Sequence, residues 1–115
     1  MMEVIIDGKV VMVSTYLAEK IAEDTIKVGF NPKAPAQNDM IVKDTAARMK
    51  EMIDSGELSG GELIKITGPA SLQASMVIAH ALGHLYGAIA CFDPKLNKFV
   101  VSIAHGGKYQ IGDLV

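Results

Sequence analysis

Tryptophan is absent from this 115-residue sequence, cysteine and arginine occur once each, and aromatic residues make up only 5%. Because Cys91 has no second cysteine in the chain, internal disulfides and a zinc cluster of several cysteines are excluded. A single arginine, Arg48, excludes a site in which several arginine forks from one copy clamp phosphates. An anion site within one copy must therefore use lysines or backbone N–H groups.

Excess positive charge and long apolar runs are also missing. Eleven basic against 13 acidic residues give a formal net charge of −2, which argues against a binder of duplex DNA or RNA that depends on a broad basic surface. No run of 18 uncharged apolar residues occurs, and the opening residues do not resemble a signal peptide. We therefore expect one cytoplasmic domain over residues 1–115, with no membrane partner.

Half of the residues are apolar, and their pattern in the first third of the chain predicts strands. Residues 4–6 and 10–13 flank Asp7-Gly8, a dipeptide that favours a tight hairpin turn because both positions accept a positive φ. In residues 17–28 the apolar positions 17, 21 and 28 partly fit a helix, whereas Ile26 and Val28 alternate as in a strand, so both assignments stay open. Two prolines predict a loop over residues 31–37.

A helix is predicted next, beginning at Asn38 or Asp39 as its cap and ending near Ser55-Gly56. Asp44 is expected on a polar face of this helix. The apolar positions at helical spacing are Val42, Ala46, Met49 and Ile53.

The second half of the chain predicts a strand, a helix and further strands. The expected elements are a strand over residues 63–67, a helix over 71–85 ended by Gly87, strands over 88–92 and 99–104, and an edge strand over 108–115. The helix is apolar on nearly every side, which places it between layers or at a subunit interface. Cys91 is interpreted as a small buried hydrophobe. The order predicts an α/β fold with a right-handed crossover and a sheet of about five or six strands.

Three groups of residues could support chemistry. Gly68-Pro69-Ala70-Ser71 lies at a strand-to-helix junction, where free N–H groups can hold phosphate, although an ordinary helix also begins in this way. His80 and His84 share a helix face and could bind a metal or move a proton, or could simply be packed there. Ala81 occupies the position where a zinc protease of this spacing has glutamate.

The third group is the turn that contains Asp93 and Lys95. An acid and a lysine there could position a hydroxyl and offset phosphate charge, whereas a surface turn alone would also favour Asp, Pro and Asn. His105 follows the next strand beside two glycines that would permit close approach to a ligand.

Taken together, these motifs resemble a CRISPR-associated family, the Csx-three proteins, also called Crn-three ring nucleases. The resemblance runs from about residue 63 to residue 115 and follows the order and spacing of short motifs. They are Ile66-Thr67-Gly68-Pro69, His80, His84, Phe92-Asp93-Pro94-Lys95-Leu96, Phe99-Val100-Val101, His105 and Gly112-Asp113.

The resemblance implies a Rossmann-like, CARF-like domain that forms a homodimer and cleaves cyclic tetra-adenylate held between two dimers, giving a ligand-bridged tetramer or filament. It implies catalytic roles for His84, Asp93 and Lys95. Lys95 replaces the arginine of the family's turn, which keeps the charge but loses the bidentate fork. The implied ligand-binding residues are Gly68, Pro69, Ser71, Gln73, His80 and His105.

Two further classes of function stay open. One is a dimer that senses cyclic oligoadenylate without cutting it, which the lysine at position 95 favours. The other is a metal-holding oligomer in which His80 and His84 bind manganese or zinc. The family is also associated with a manganese-dependent exonuclease that removes 3′ adenosines from RNA, so short poly(A) RNA is an alternative substrate. A ring nuclease would require no cofactor, or only Mn²⁺.

Overall fold

The computed structural model describes residues 1–115 and contains seven strands and two helices. In chain order they are β1 (Met2–Ile6), β2 (Lys9–Val13), β3 (Tyr16–Ala22), β4 (Thr25–Phe30), α1 (Asn38–Asp54), β5 (Ile64–Thr67), α2 (Leu72–Gly83), β6 (Ala88–Asp93) and β7 (Lys98–Ala104). Neither helix has the length and apolarity needed to cross a bilayer.

Five strands form one mixed sheet in the order β3-β4-β5-β6-β7. The central strands β4, β5 and β6 are parallel, and β3 and β7 pair antiparallel at the two edges. Helix α1 connects β4 to β5 and α2 connects β5 to β6, as parallel neighbours require. The predicted α/β fold is confirmed, and the ambiguous residues 17–28 form the β3–β4 hairpin.

Strands β1 and β2 form a separate two-stranded sheet, which we call the arm. Its turn residues Asp7 and Gly8 have φ values of 51° and 76°, so the predicted hairpin turn is confirmed. The arm makes few contacts with the rest of the chain.

The main core lies between one face of the five-stranded sheet and the two helices, which pack side by side on that face. Its fully buried members come from four strands, both helices and the segments after them. They include Tyr16, Ile26, Met49, Met52, Leu58, Ile64, Ala74, Ile78 and Leu82. The cluster contains only two aromatic side chains, Tyr16 and Tyr86, in agreement with the low aromatic content.

The C-terminal tail covers part of the opposite face of the sheet, where Tyr109 and Val115 pack against Ala88, Ala90 and Val101. The prediction of an edge strand over residues 108–115 is confirmed only in part. Residues 112–115 lie antiparallel to β7, joined to Phe99 and Val101 by four backbone hydrogen bonds, with one bridge between Val100 and Leu114. Residues 108–111 do not pair with a strand, and the main sheet has five full strands.

Helix α1 differs from the prediction in its cap and in its buried face. Gln37 is the N-cap, without a side-chain hydrogen bond, so neither Asn38 nor Asp39 caps the helix. Asp44 is buried rather than on a polar face. Asp44 can be buried because two other parts of the same chain supply hydrogen-bond donors to its carboxylate. The backbone N–H and the hydroxyl of Thr15 donate to Asp44 Oδ2 at 2.8 and 2.7 Å, and the N-terminal amine lies 2.5 Å from Oδ1.

Three predictions for the second half also need correction. Helix α2 ends at Gly83 with His84 as its C-cap, because Leu85 and Tyr86 turn back to the carbonyl of Leu82. It buries only one face, so it does not lie between two layers of its own chain. Cys91 is exposed rather than buried, because it lines a cavity between α2 and strands β5 to β7.

Candidate functional site

The three parallel strands end at one edge of the sheet, at Phe30, Thr67 and Asp93. In open α/β sheets, ligands bind outside the carboxyl ends of the strands because the loops and helix N-termini meet there. The junction after β5 and the turn after β6 both lie at this carboxyl edge. Two of the three predicted groups are therefore neighbours in the fold.

Gly68 lies where the junction passes against the backbone of β4. Its φ is 118°, and a Cβ built on it would lie 1.8 Å from the carbonyl oxygen of Val28. Only glycine fits such an approach. The packing of the junction therefore explains this residue without a ligand.

Pro69 is fixed by a residue that sequence reasoning did not identify. The hydroxyl of Tyr16, at the start of β3, donates to the carbonyl oxygen of Pro69 at 2.7 Å. Burial raises the pKa of Tyr16 to about 12, so the hydroxyl stays a donor at neutral pH. No short-range motif could have indicated this bond, because the two residues are 53 positions apart.

The first turn of α2 uses its serine for capping. Ser71 Oγ accepts a hydrogen bond from the backbone N–H of Ala74 at 3.1 Å, as in an ordinary helix start. Gln73 is exposed one residue into the helix. Gln73 is therefore available to a ligand at the carboxyl edge, whereas the Ser71 hydroxyl already has a partner.

The turn between β6 and β7 is held by its own acid. Asp93 Oδ1 accepts from the backbone N–H groups of Lys95 at 2.8 Å and of Leu96 at 3.2 Å, and Asn97 closes the turn with a φ of 51°. The side chain of Lys95 is exposed and forms no ion pair within the chain. Asp93 thus shapes the turn that presents a free ammonium at the carboxyl edge.

The three histidines gather at the other end of α2, which we call the histidine end. The rings of His80 and His84 meet edge to face, with centroids 4.8 Å apart. His105 Nε2 lies 3.8 Å from where a Cβ on Gly83 would be, and its backbone N–H donates to the carbonyl of Gly87 at 2.9 Å. The fold therefore brings His105 to the helix turn that contains His84.

One chain does not bring His84 together with Asp93 and Lys95. Helix α2 runs from the carboxyl edge back to the histidine end, and β6 then returns along the sheet, parallel to β5. Five residue steps along β6 span about 17 Å. The two predicted halves of the catalytic group therefore lie at opposite ends of the molecule.

The histidine end does not form a metal site within one chain. No group of three or more His, Cys, Asp or Glu side chains is placed to share an ion. Manganese prefers oxygen ligands, and His80 and His84 offer two imidazoles in edge-to-face contact. The residues present therefore do not fit a manganese ion.

A cavity of about 360 Å³ lies between α2 and strands β5 to β7, beside the carboxyl edge. Gly68, Met76, Cys91 and Phe92 are among its largely apolar lining residues. Although Cys91 is exposed as a residue, the apolar walls of this cavity partly desolvate its thiol and raise the pKa, while a hydrogen bond with Ser102 opposes the rise. The thiol is therefore mainly protonated at neutral pH and is a weak nucleophile.

The fold and the two ends define a small α/β protein with an exposed, unpaired lysine at the carboxyl edge and a separate cluster of histidines. A family model described as CRISPR-associated protein (Cas_csx3) matches residues 51–115, and this segment contains every candidate site residue discussed above except Tyr16. No curated protein and no solved structure matches the chain. Because the family match spans more than half of the sequence, the chain belongs to the Cas_csx3 family of CRISPR-associated proteins.

Proposed function

We propose that this protein is a ring nuclease that binds cyclic oligoadenylate, with cyclic tetra-adenylate as the expected ring, and cleaves it to linear oligoadenylates. Cleavage would remove the messenger and switch off type III CRISPR signalling. The observation that supports a composite site is the distance of about 17 Å along β6 between the histidine end and the Asp93–Lys95 turn. Cleavage that uses both groups requires the histidine end of one copy to lie against the carboxyl edge of another copy.

The chemistry of such a site follows from the groups that it would join. A ribose 2′-hydroxyl attacks the adjacent phosphorus, the bond from phosphorus to the 5′ oxygen breaks, and a 2′,3′-cyclic phosphate forms. His84 accepts the proton of the attacking hydroxyl, or aligns that hydroxyl while a water molecule accepts the proton, and the leaving 5′ oxygen takes a proton from solvent water. The ammonium of Lys95 stabilises the charge that develops on the phosphate oxygens. No step requires a metal ion.

Asp93 acts through the turn in this scheme. Its carboxylate accepts hydrogen bonds from the backbone of Lys95 and Leu96 and so fixes the direction of the lysine side chain. Asp93 is therefore a positioning residue in our proposal. Asp93→Asn keeps one oxygen that can accept these bonds, so it should retain more activity than Asp93→Ala.

The direct test is to incubate the purified protein, at stoichiometric concentration, with cyclic tetra-adenylate and to separate the products by chromatography and mass spectrometry. We expect linear products that end in a 2′,3′-cyclic phosphate, with or without manganese. His84→Ala and Lys95→Ala should each slow cleavage by about 100-fold or more. Lys43→Ala, which removes an exposed lysine from α1, is the matched control and should leave the rate unchanged.

A mixing experiment tests the composite site. When His84→Ala and Lys95→Ala chains are combined, about a quarter of head-to-tail contacts would join an intact histidine to an intact lysine, so activity should partly return. Failure of the mixture to regain activity would refute the composite arrangement.

Binding of the ring without turnover by the wild-type protein would instead identify a sensor. That outcome would be consistent with lysine at position 95, because an ammonium binds phosphate as a point charge without the bidentate geometry of arginine. Release of single adenosines from the 3′ end of RNA, without ring opening, would identify the exonuclease.

A further inference from the structure

The cavity between α2 and strands β5 to β7 has a buried apolar floor and a mouth that is open to solvent. Met76 of α2 and Cys91 of β6 line it and are exposed. The cavity volume of about 360 Å³ lies near the lower end of the roughly 300–1,000 Å³ that is typical of small-molecule sites, so one flat ring system fits and a whole oligonucleotide does not. Four side chains that are at most 9% exposed form the floor: Val28, Ile66, Ile78 and Ile89.

Two hydroxyl groups interrupt the apolar lining, that of Ser75 on α2 and that of Ser102 on β7. Ser75 Oγ donates its proton to the carbonyl oxygen of Ser71 at 2.9 Å, and Ser102 Oγ donates to the carbonyl oxygen of Val100 at 3.1 Å. While the Cys91 thiol is protonated, both serine protons are therefore engaged, and each hydroxyl oxygen can still accept a hydrogen bond. The cavity thus offers acceptors to a group that donates.

The cavity lies close to the turn that presents Lys95. Cys91 lines the cavity, and Asp93 follows two residues later in β6, which is a distance of about 7 Å along the strand. Gly68 belongs both to the junction after β5 and to the cavity lining. A nucleotide whose phosphate lies at Lys95 can therefore place its base in the cavity.

We propose that this cavity binds one adenine base of the oligoadenylate, and that Ser75 and Ser102 select adenine by accepting hydrogen bonds from its exocyclic amino group. The inference rests on the proposed function, which supplies the adenosines. Adenine carries an amino group where guanine and hypoxanthine carry a carbonyl oxygen. A carbonyl oxygen would meet the two hydroxyl oxygens as a further acceptor, so these groups would lose their water partners without gaining a donor.

The lining favours the base over the other parts of a nucleotide. No charged side chain lines the cavity, so a phosphate placed there would be desolvated without a partner. The thioether of Met76 and the apolar floor instead offer packing to the flat faces of an aromatic ring. The base therefore belongs in the cavity, and the phosphates belong at the lysine outside it.

The thiol of Cys91 provides a direct measurement of cavity occupancy. Cys91 is the only cysteine in the chain, so its alkylation by iodoacetamide, followed by mass spectrometry of the intact protein, reports on this cavity alone. A base in the cavity covers the thiol, so adenosine should slow alkylation at neutral pH in a saturable way that gives a Kd. Inosine, which has a carbonyl oxygen in place of the amino group, should protect with a Kd at least about tenfold higher.

Variants test whether the two serines make this distinction. Ser75→Ala and Ser102→Ala should each reduce the difference between the Kd values of adenosine and inosine to about threefold or less. Ser59→Ala removes the hydroxyl of an exposed serine outside the cavity and should keep the full difference. Each variant is compared with itself without nucleoside, so changes in the reactivity of the thiol cancel.

A larger side chain tests the position of the base. Ser75→Leu places an apolar side chain at the mouth of the cavity, on an exposed helix position where leucine is well tolerated, and it should abolish protection by adenosine. Far-UV circular dichroism checks that this variant is folded, and Ser102→Leu on the opposite wall replaces it if it is not.

Alkylation at the same rate with and without adenosine, up to the solubility limit of the nucleoside, would overturn the proposal. Equal protection by inosine would also overturn it, as would protection that persists in a folded Ser75→Leu protein. Nucleosides contain no phosphodiester bond, so these outcomes do not depend on cleavage. A protein that cleaves the ring without protection by adenosine would refute the adenine site alone, whereas protection without cleavage would refute only the proposed ring nuclease.

Discussion

Replacing Gly68 by alanine separates the packing role of this residue from a role in ligand binding. Gly68 has a φ of 118°, and the new methyl group would lie 1.8 Å from the carbonyl oxygen of Val28. In proteins a Cβ atom essentially never lies closer than 3.0 Å to another heavy atom outside its own neighbours in the chain. The heavy atom that the new methyl group would contact is a backbone oxygen of the central strand β4. The side chain therefore cannot rotate out of the clash, and either β4 or the junction must move by more than 1 Å.

The expected loss of stability combines two effects. A non-glycine residue held in this region of φ costs roughly 1–3 kcal/mol. Forcing extra volume into a packed interior costs typically another 1–3 kcal/mol. We therefore expect Gly68→Ala to lower the free energy of unfolding by roughly 2–6 kcal/mol, a large part of the 5–15 kcal/mol that is typical of a domain.

Urea denaturation followed by circular dichroism measures this change, with Gly106→Ala as the matched control. Gly106 has a φ of 90°, but a Cβ there would meet nothing within 4 Å, so its substitution should cost only the backbone strain. Equal destabilisation by the two substitutions would refute the packing explanation. A Gly68→Ala protein that is as stable as the control but no longer binds cyclic oligoadenylate would point to close approach of the ligand instead.

Three further predictions follow from single contacts. Tyr16→Phe leaves the Pro69 carbonyl without its donor and should lower the free energy of unfolding by about 1 kcal/mol, measured in urea. Burial by itself raises the pKa of Asp44, but the hydrogen bonds from the N-terminal amine and from Thr15 together hold it below its usual value. Asp44 therefore stabilises the fold above about pH 4, and this contribution is lost as the pH falls through the lowered pKa. Asp44→Asn should remove this loss from the profile of unfolding free energy against pH. Lys95→Arg should speed single-turnover cleavage of cyclic tetra-adenylate by about tenfold, because arginine binds phosphate with two parallel hydrogen bonds.

Each of these predictions has a result that contradicts it. An unchanged free energy of unfolding in Tyr16→Phe would mean that the hydroxyl bond to Pro69 contributes nothing. An acid profile of Asp44→Asn that equals the wild type would assign the acid sensitivity to other carboxylates. A Lys95→Arg protein with an unchanged or slower rate would show that the lysine is not the limiting group for phosphate stabilisation.

Local sequence pattern predicted most elements of the fold because the signals are short-range. The turn at Asp7-Gly8 and the helix start at Gly68-Pro69-Ala70-Ser71 depend on residues no more than a few positions apart, and both are confirmed, the second with Ser71 as the helix cap. Residues 17–28 could not be assigned because Leu17 and Ile21 fit a helix while Ile26 and Val28 alternate. Pairing of β4 with β5, far along the chain, settles them as strands.

The candidate site was less predictable, for a related reason. The junction after β5 and the turn after β6 were identified as possible sites from their residue types. The sequence did not indicate Tyr16, because its bond to Pro69 joins residues from different ends of the fold. Exposure of Cys91 also depends on which strands the helices cover, and its apolar neighbours in the sequence do not reveal that.

By itself, the sequence determined the α/β class, the hairpins and helices with clear local signals, and the family, since the order of short motifs from residue 63 onward is a property of the chain alone. Only the tertiary structure decided that His84 lies at one end of the molecule and the Asp93–Lys95 turn at the other. The physical reason is the parallel pairing of β6 with β5, which requires α2 to run back across the sheet before β6 begins. The same long-range packing buried Asp44 against Thr15 and left both faces of the arm exposed.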